Sequence, residues 1–298
     1  MKILNYGSLN IDKVYQVEHF VRPGETIATL GYDCFPGGKG LNQSVAAARA
    51  GQKVFHAGCV GADGDFLVSV LQESGADTRY IKRTAGVTGH ALIQVAQSGE
   101  NCILLFAGSN AENDKDTIDA VFSNFEQGDI LMLQNEISNM EYLVSRGAAK
   151  GMQIMLNPSP MDETLKNMDL SGITWLVLNE TEGLELTGEN EPEKILANLL
   201  ERYPNLQVVL TLGSDGSVYK SAQEEYRQPV FKVKAVDTTA AGDTFTGYFA
   251  SAMVEKMPVD KALELAAAAA AMAVAKAGAS VSIPVRSEVE DQLVVWKA

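Results

Sequence analysis

The strongest chemical pattern in the sequence is a run of small residues that ends in a carboxylate, Val236-Asp237-Thr238-Thr239-Ala240-Ala241-Gly242-Asp243. A β-rich segment precedes this run, and a helix is predicted to begin at Asp243. Small residues at a helix start leave backbone N–H groups open to an anion, and the helix dipole adds a favourable field. Asp243 would stay ionised in that field and accept a proton from a hydroxyl beside a bound phosphate. Helix capping explains Asp243 alone but not the Ala-Ala-Gly run before it.

A second glycine-rich segment, Gly37–Ser44, precedes an alanine-rich helix. Its glycines allow the backbone to approach a ligand closely, and Lys39 and Asn42 add polar groups. The segment is not a Walker phosphate loop, because Gly40 follows the Gly-Lys pair where Ser or Thr is required. It is not a GxGxxG dinucleotide motif either, because Gln43 occupies the last position. Taken alone, the segment fits a flexible turn before a helix equally well.

The elements that would position these motifs alternate along most of the chain. Short apolar, β-rich runs lie at 2–7, 53–60, 130–133, 153–156, 175–178 and 207–212. Helical patterns lie between them and continue in the last third of the chain, at 243–256 and 260–276. This alternation predicts an α/β fold with a mainly parallel, doubly wound sheet covered by helices. Ligands of such sheets bind at the carboxyl ends of the strands.

Two segments, at about 13–34 and 88–107, break the alternation. The second is predicted to be a hairpin with its turn at 98–101. Neither segment has a helix to cover its second face. They therefore form either a small antiparallel sheet that projects from the main domain or edge hairpins of the main sheet. Periodicity does not separate these two arrangements, and no linker divides residues 1–298 into further domains.

Composition excludes several classes of protein. The 298 residues carry a formal net charge of −14, with 46% hydrophobic and 21% charged residues, which is typical of a globular protein. An acidic chain lacks the basic surface that nucleic acids and anionic membranes attract. Its three cysteines form no CxxC pair, which favours a reducing compartment. With no apolar signal segment at the start and no long apolar run, we expect a soluble, cytoplasmic protein.

At its two glycine-rich motifs the sequence resembles the ribokinase family of sugar kinases, the group that includes adenosine kinase and fructokinase. The matching motifs are GGKGLNQSVAAARAG and DTTAAGDTF, and shorter ones are GSLNID, RPGET, NPSP, NETE, TLGSDG and AVAKAGASVS. The resemblance implies a ribokinase-like three-layer α/β domain with a small antiparallel β lid, built from the two segments that break the alternation. It also implies ATP-dependent phosphoryl transfer to a hydroxymethyl group of a sugar, and a homodimer that forms through the lid.

The resemblance assigns the groups around the reacting atoms. Asp243 matches the catalytic base, and the N–H groups of Ala240, Ala241 and Gly242 match an anion hole. The residues that match sugar-binding positions are Asn10, Asp12, Gly38, Lys39, Asn42 and Glu136, together with Asp243 itself.

The resemblance also assigns nucleotide and metal positions. Asn179 and Glu182 match a motif linked to Mg²⁺ and phosphate. The nucleotide loop is matched by Thr211, Gly213, Ser214 and Gly216, with Gly242 beside it. The residues that match a K⁺ site, several through their carbonyl oxygens, are Asp237, Thr239, Ala273, Lys276, Gly278 and Ser282.

Each acidic residue also has a plainer interpretation. Asp12 would cap a turn, Glu136 would be a solvated loop acid, and Asn179 with Glu182 would form a helix-capping pair. Their joint occurrence favours a kinase that converts D-ribose to ribose 5-phosphate with ATP. The alternatives are a kinase for another pentose, a ketohexose or a nucleoside, whose base would need the apolar wall that Tyr32 and Phe35 offer. A catalytically silent sugar-binding protein is disfavoured, because Asp243 and the small residues before it are intact.

Overall fold

The computed structural model describes residues 1–297, and a nine-stranded sheet and a four-stranded sheet organise that range. The strands are β1 (Ile3–Tyr6), β2 (Asn10–Val17), β3 (Gly31–Gly37), β4 (Val54–Val60), β5 (Asp77–Arg83), β6 (Gly89–Ala96), β7 (Asn101–Phe106), β8 (Ile130–Gln134), β9 (Gln153–Asn157), β10 (Trp175–Asn179), β11 (Gln207–Thr211), β12 (Ser217–Lys220) and β13 (Glu225–Gln228). The helices are α1 (Lys39–Arg49), α2 (Asp65–Glu73), α3 (Lys115–Phe122), α4 (Met140–Ala149), α5 (Glu163–Lys166), α6 (Glu180–Thr187), α7 (Pro192–Arg202), α8 (Ala241–Val254), α9 (Val259–Val274) and α10 (Arg286–Lys297).

The large sheet has the order β13-β12-β11-β10-β9-β8-β1-β4-β5, and only the pairs that involve β12 are antiparallel among the described residues. Successive side chains of each strand point to opposite faces of the sheet, as the pleat of a strand requires, and pack in different hydrophobic cores. In β8, for example, Ile130 and Met132 face α1, α8 and α9, whereas Leu131 and Leu133 face α3, α4 and α7. Helices therefore cover both faces, and the predicted mainly parallel α/β architecture is confirmed.

The small sheet has the order β3-β2-β6-β7 and is separate from the large one. The pairs β2–β3 and β6–β7 are antiparallel, whereas β2 and β6, which join the two hairpins, run parallel. The segments that break the βα alternation thus form a second sheet rather than edge hairpins of the first. Every residue of β7 is exposed.

Two close approaches bring the site elements together. A Cβ at Gly40 would collide with the backbone of Gly7 and Ser8, so the start of α1 packs directly on the turn after β1. A Cβ at Gly247 would collide with Ala46 and Ala47, so α8 crosses α1 at short range. The first turns of α1 and α8 therefore lie side by side at the carboxyl edge of the large sheet. No helix within residues 1–297 is long and apolar enough to cross a membrane.

Candidate active site

The start of α8 differs from the sequence prediction by two residues. Ala240 is the N-cap and adopts a left-handed conformation with φ of 60°, so the helix begins at Ala241 and Asp243 is its third residue. An alanine in the left-handed region costs roughly 1–2 kcal/mol. The sequence pattern therefore did not predict this conformation at Ala240. The N–H of Ala241 donates to the Thr238 carbonyl at 3.3 Å. Nothing lies within 4 Å of the position that a Cβ on Gly242 would occupy, so the helix start is open there.

The carboxylate of Asp243 is buried and held by two amides from α1. Asn42 Nδ2 donates to Asp243 Oδ2 at 3.1 Å, and Gln43 Nε2 donates to Asp243 Oδ1 at 3.0 Å. Both donors are neutral, so they orient the carboxylate without supplying a proton to it. The crossing of α1 and α8 thus fixes the direction of the predicted base.

Lys39 stands among three carboxylates. Burial lowers the pKa of Lys39, but attraction to Asp243, Glu136 and Glu182 outweighs burial and holds that pKa above its ordinary value. The ammonium group is therefore charged, and it carries the positive charge between the three acids. Lys39 also lines a cleft together with Ala240, Ala241, Gly242 and Asp243.

The predicted sugar-side acids lie at the junction of the two sheets. Glu136, which follows β8, accepts hydrogen bonds from the Ser8 hydroxyl and from the Lys39 N–H, the latter at 3.0 Å. Burial raises the pKa of Glu136. Burial and the charge of Glu136 together raise the pKa of Asp12 to about 7. Glu136 is therefore not a solvated loop acid, and Asp12 on β2 does not cap a turn.

Asn10 is fixed beside these acids. Its Oδ1 accepts a hydrogen bond of 2.7 Å from Asn110 Nδ2, which leaves the Asn10 amide N–H groups to donate elsewhere. Gly38 is the N-cap of α1, with φ of 96°, a conformation that favours glycine. The predicted sugar-side residues are thus brought together around the starts of β2 and α1.

Asn179 and Glu182 form the capping pair that the sequence offers as an alternative. The Asn179 N–H donates to Glu182 Oε2, and the Glu182 N–H donates to Asn179 Oδ1, both at 2.9 Å. The same two residues also line the cleft, together with Asn157 and Thr211. The capping interpretation is therefore correct and does not compete with the functional one. Gly213 and Ser214, by contrast, are exposed in the turn after β11 and are not among the residues that line the cleft.

The predicted K⁺ positions are partly assembled. Asp237 accepts from the N–H groups of Thr239 and Gly278, each at 2.9 Å, which joins the loop before α8 to the loop after α9. Burial opposes ionisation, but these hydrogen bonds outweigh it and hold the pKa of Asp237 below its usual value. The Ala273 carbonyl accepts from the Lys276 N–H at 3.1 Å, and the Ser282 hydroxyl turns to the Ala279 carbonyl at 2.8 Å.

Carboxylate, imidazole and thiol side chains alone do not form a metal centre in the described part of the chain. Within residues 1–297, no group of three or more His, Cys, Asp or Glu side chains is placed to hold a metal ion. A divalent ion at Glu182 would therefore depend on phosphate and water oxygens, which Mg²⁺ accepts readily.

Sequence reasoning missed several buried polar residues that complete the site. They are Ser8, Gln43, Asn110, Gln134 and Asn157. Ser8, Gln43 and Asn157 lie inside motifs that were already singled out, and only their polar character could have drawn attention to them. Gln134 ends the strand β8, outside those motifs. Asn110 lies in a short turn with no motif around it.

Comparisons with known proteins match nearly the whole chain. A sequence profile described as pfkB family carbohydrate kinase matches residues 1–286. The chain is 38% identical over 291 residues to the ribokinase of Haemophilus influenzae, and 95% of each chain is covered. A ribokinase structure from Thermotoga maritima has a TM-score of 0.87 at 36% identity, with 98% of this chain and 99% of that chain covered. A ribokinase from Arabidopsis thaliana, complexed with ribose and ATP, has a TM-score of 0.87 at 30% identity and 98% coverage of both chains.

Proposed function

The chain belongs to the pfkB family of carbohydrate kinases, and within that family we propose that it transfers the γ-phosphoryl group of ATP to the 5-hydroxymethyl group of D-ribose. The observation that carries this proposal is the surroundings of Lys39. The charges of Asp243, Glu136 and Glu182 all act on its ammonium group. The predicted base, the sugar-side acid and the phosphate-side acid therefore meet around one cation.

In this proposal, Asp243 accepts the proton of the sugar hydroxyl while the hydroxyl oxygen forms a bond to the γ-phosphorus. The bond between that phosphorus and the bridging oxygen breaks, and ADP leaves with the bridging oxygen. Phosphoryl transfer asks a protein mainly for positioning and for charges that stabilise the transferred group. The open helix start at Gly242 and the ammonium of Lys39 supply those charges.

The cleft wall fits Mg²⁺ held indirectly. Glu182 Oε1 and Oε2 already accept hydrogen bonds from Asn179, so the carboxylate would meet the ion through water. Asn157 Oδ1, also in the wall, is buried and has no hydrogen-bond partner among residues 1–297. These groups would hold a hydrated Mg²⁺ on the phosphates of ATP. The ion would neutralise phosphate charge there.

The loops around Asp237 fit a monovalent cation. The carboxylate accepts one N–H on each oxygen, which leaves lone pairs free on both, and its lowered pKa keeps it ionised. We propose that K⁺ is held by Asp237 and by neighbouring carbonyl oxygens of the two loops. Such an ion would stiffen the loop that leads into Ala240.

The small sheet offers a dimer surface. Ile103, Leu104, Leu105 and Phe106 on β7 are each 49–62% exposed. A long, apolar edge strand is a ready template for pairing with another chain. We propose that two copies associate through this sheet. Analytical ultracentrifugation would find a dimer, and a parent protein that remains monomeric at micromolar concentration would reject this association.

A kinase assay tests the reaction and its substrate. Purified protein is given ATP, Mg²⁺ and K⁺ with ribose, deoxyribose, fructose, adenosine or pseudouridine, and formation of ADP is measured. The highest kcat/KM is expected for ribose. A higher value for adenosine or pseudouridine would favour a nucleoside kinase, and binding of a sugar without turnover would favour a silent binding protein.

A further inference from the structure

The amide that holds the predicted base is itself held by a second amide. Gln43 Oε1 accepts a hydrogen bond of 2.7 Å from Gln134 Nε2, while Gln43 Nε2 donates to Asp243 Oδ1 at 3.0 Å. Gln134 lies at the end of β8, and it and Gln43 are almost completely buried. Both hydrogen bonds of Gln134 run through Nε2, and its Oε1 is buried without a partner in the described range. Turning this amide over would point an oxygen at the oxygens of its two partners, so its orientation is fixed.

A backbone carbonyl sets the orientation of this chain of amides. Asn5 Nδ2 donates to the Gly40 carbonyl and to Ser44 Oγ, each at 2.8 Å. A carbonyl oxygen accepts and never donates, so the Asn5 amide has one orientation, with Oδ1 toward Gln134. Gln134 Nε2 then donates to Asn5 Oδ1 at 3.0 Å. Its second N–H meets Gln43 Oε1, and Gln43 must present its own N–H to Asp243.

We propose that Gln134 and Gln43 are positioning residues, which keep an N–H donor on Asp243 Oδ1 and so favour the ionised base. This inference rests on the proposed role of Asp243. Turning Gln43 over would place Oε1 against the carboxylate and Nε2 against the N–H groups of Gln134. Protonation at Oδ1 is therefore opposed by the whole chain back to Gly40.

The second oxygen of Asp243 is not locked in this way. Asn42 Nδ2 donates to Oδ2, but Asn42 Oδ1 is buried and has no hydrogen-bond partner among the described residues. Asn42 is therefore free to turn and accept from a protonated Oδ2. The geometry makes Oδ1 the anchored oxygen and Oδ2 the one that takes the proton of the acceptor hydroxyl.

Other ionisable groups near the chain do not reproduce this effect. The charged groups that act around Asp243 are Lys39 on α1, Glu136 after β8 and, through Lys39, Glu182 on α6. At the far end, His56 Nδ1 lies 2.8 Å from Ser44 Oγ. Burial lowers the pKa of His56 to about 3, so His56 stays neutral above pH 6.

The variant Gln134→Glu tests the proposal, measured as kcat against pH with ribose and ATP. A buried Glu at position 134 has no hydrogen to donate when ionised and only one when protonated. Asn5 Oδ1, which the Gly40 carbonyl keeps from turning away, takes that one and leaves none for Gln43. Gln43 then turns to donate to residue 134 and presents Oε1 to Asp243. We expect the ascending limb of kcat to move up by about one pH unit or more, with both KM values within about threefold of the parent.

A second background and a matched control separate positioning from structure. In Gln43→Leu protein, no amide joins residue 134 to Asp243. Adding Gln134→Glu to this variant should therefore leave the ascending limb of kcat at the pH found for Gln43→Leu alone. Gln207 is the control, because its Oε1 accepts from Trp175 Nε1 and Tyr219 OH at the start of β11, and a Glu oxygen would accept the same two hydrogen bonds. Gln207→Glu should leave kcat and its limb unchanged.

Each outcome is decisive. The proposal is overturned if the ascending limb of kcat does not move in folded Gln134→Glu protein. It is also overturned if Gln134→Glu lowers kcat as much in the Gln43→Leu background as it does in the parent. Gln134→Met, which has the same length without charge, replaces a variant that does not fold, and its limb should also move upward. If neither variant folds, the role of Gln134 is structural and the proposal is wrong. Failure of the proposed function is separate, because the parent would then phosphorylate no sugar, or Asp243→Asn would keep the parent rate.

Discussion

Two aspartates face the proposed reaction from different sheets, and their surroundings differ in kind. Asp243, on the large sheet's side, has both oxygens paired with amide N–H groups. The side chain of Asp12, on the small sheet, makes no hydrogen bond to another residue within 1–297, and burial with the charge of Glu136 raises its pKa to about 7. The carboxylate of the proposed base is thus paired before any ligand binds. The sugar-side acid is desolvated and lies near a second negative charge, and a hydroxyl-rich ligand would supply its missing donors.

The same contrast extends to the elements that carry the two residues. Asp243 stands on a helix that crosses α1 at close range, in a core of buried residues. Asp12 stands on a four-stranded sheet whose edge strand β7 is exposed throughout. Preorganised groups stabilise a transition state best, because they need no rearrangement when charge develops.

Asp243→Asn is expected to produce the largest effect, a loss of about 10²–10⁴-fold in kcat, the usual contribution of a positioned base. The Asn oxygen keeps the hydrogen bond from Gln43, and its amide turns to Asn42 Oδ1, which has no other partner in the described range. KM values and melting temperature should therefore stay close to those of the parent. Steady-state kinetics decide: a kcat within fivefold of the parent, a change of about 1 kcal/mol in the activation free energy, would remove Asp243 from the role of base.

Asp12→Ala should break the other side of the comparison. The carboxylate would accept hydrogen bonds from sugar hydroxyls, each of which is worth about 1.5–3 kcal/mol when one partner is charged. Ribose affinity measured by isothermal titration calorimetry should fall by well over about tenfold, while ATP affinity stays unchanged.

Asp33 offers a matched control for that change. Asp33 lies on β3 and pairs with Val14, two residues along β2 from Asp12, and its side chain is exposed. Asp33→Ala removes a carboxylate from the same sheet and should leave ribose affinity close to that of the parent. An unchanged ribose affinity in Asp12→Ala protein would exclude Asp12 from the sugar site.

The sequence predicted the fold better than it predicted the site, for a physical reason. Strands such as 130–133 could be predicted because their apolar residues are contiguous, and the two segments that break the alternation of strands and helices predicted the small sheet. The left-handed conformation of Ala240 could not be predicted, because no local propensity favours it and only tertiary contacts impose it. The roles of Gln134 and Asn5 could not be predicted either. A buried amide is identified from its hydrogen-bond partners in the structure, and these two residues are 129 positions apart in the sequence.

Replacement of K⁺ should affect the side that carries the base and spare the sugar side. An ion at Asp237 would act on the loop before Ala240, so kcat should be several-fold higher in K⁺ than in a Tris buffer of matched ionic strength. Ribose affinity should be the same in both. Asp237→Ala should abolish the difference between the buffers, and equal kcat values of the parent in both buffers would refute the site.

The pH dependence of ribose binding reports on Asp12 directly. Its pKa is about 7 without ligand, and hydroxyl donors favour the ionised form, so bound ribose lowers that pKa. Binding must then release protons below pH 7, and affinity must rise with pH up to about 7 and level off above it. The full change in ribose affinity from pH 8 to pH 6 is up to about tenfold if only the ionised form binds.

Titration calorimetry at pH 6.5 in two buffers of different ionisation enthalpy measures the protons that Asp12 releases when ribose binds. Asp12→Asn should abolish both the release and the pH dependence. Proton release that persists in this variant would move the titration to Glu136, whose pKa burial also raises, and the contrast between the two aspartates would no longer hold.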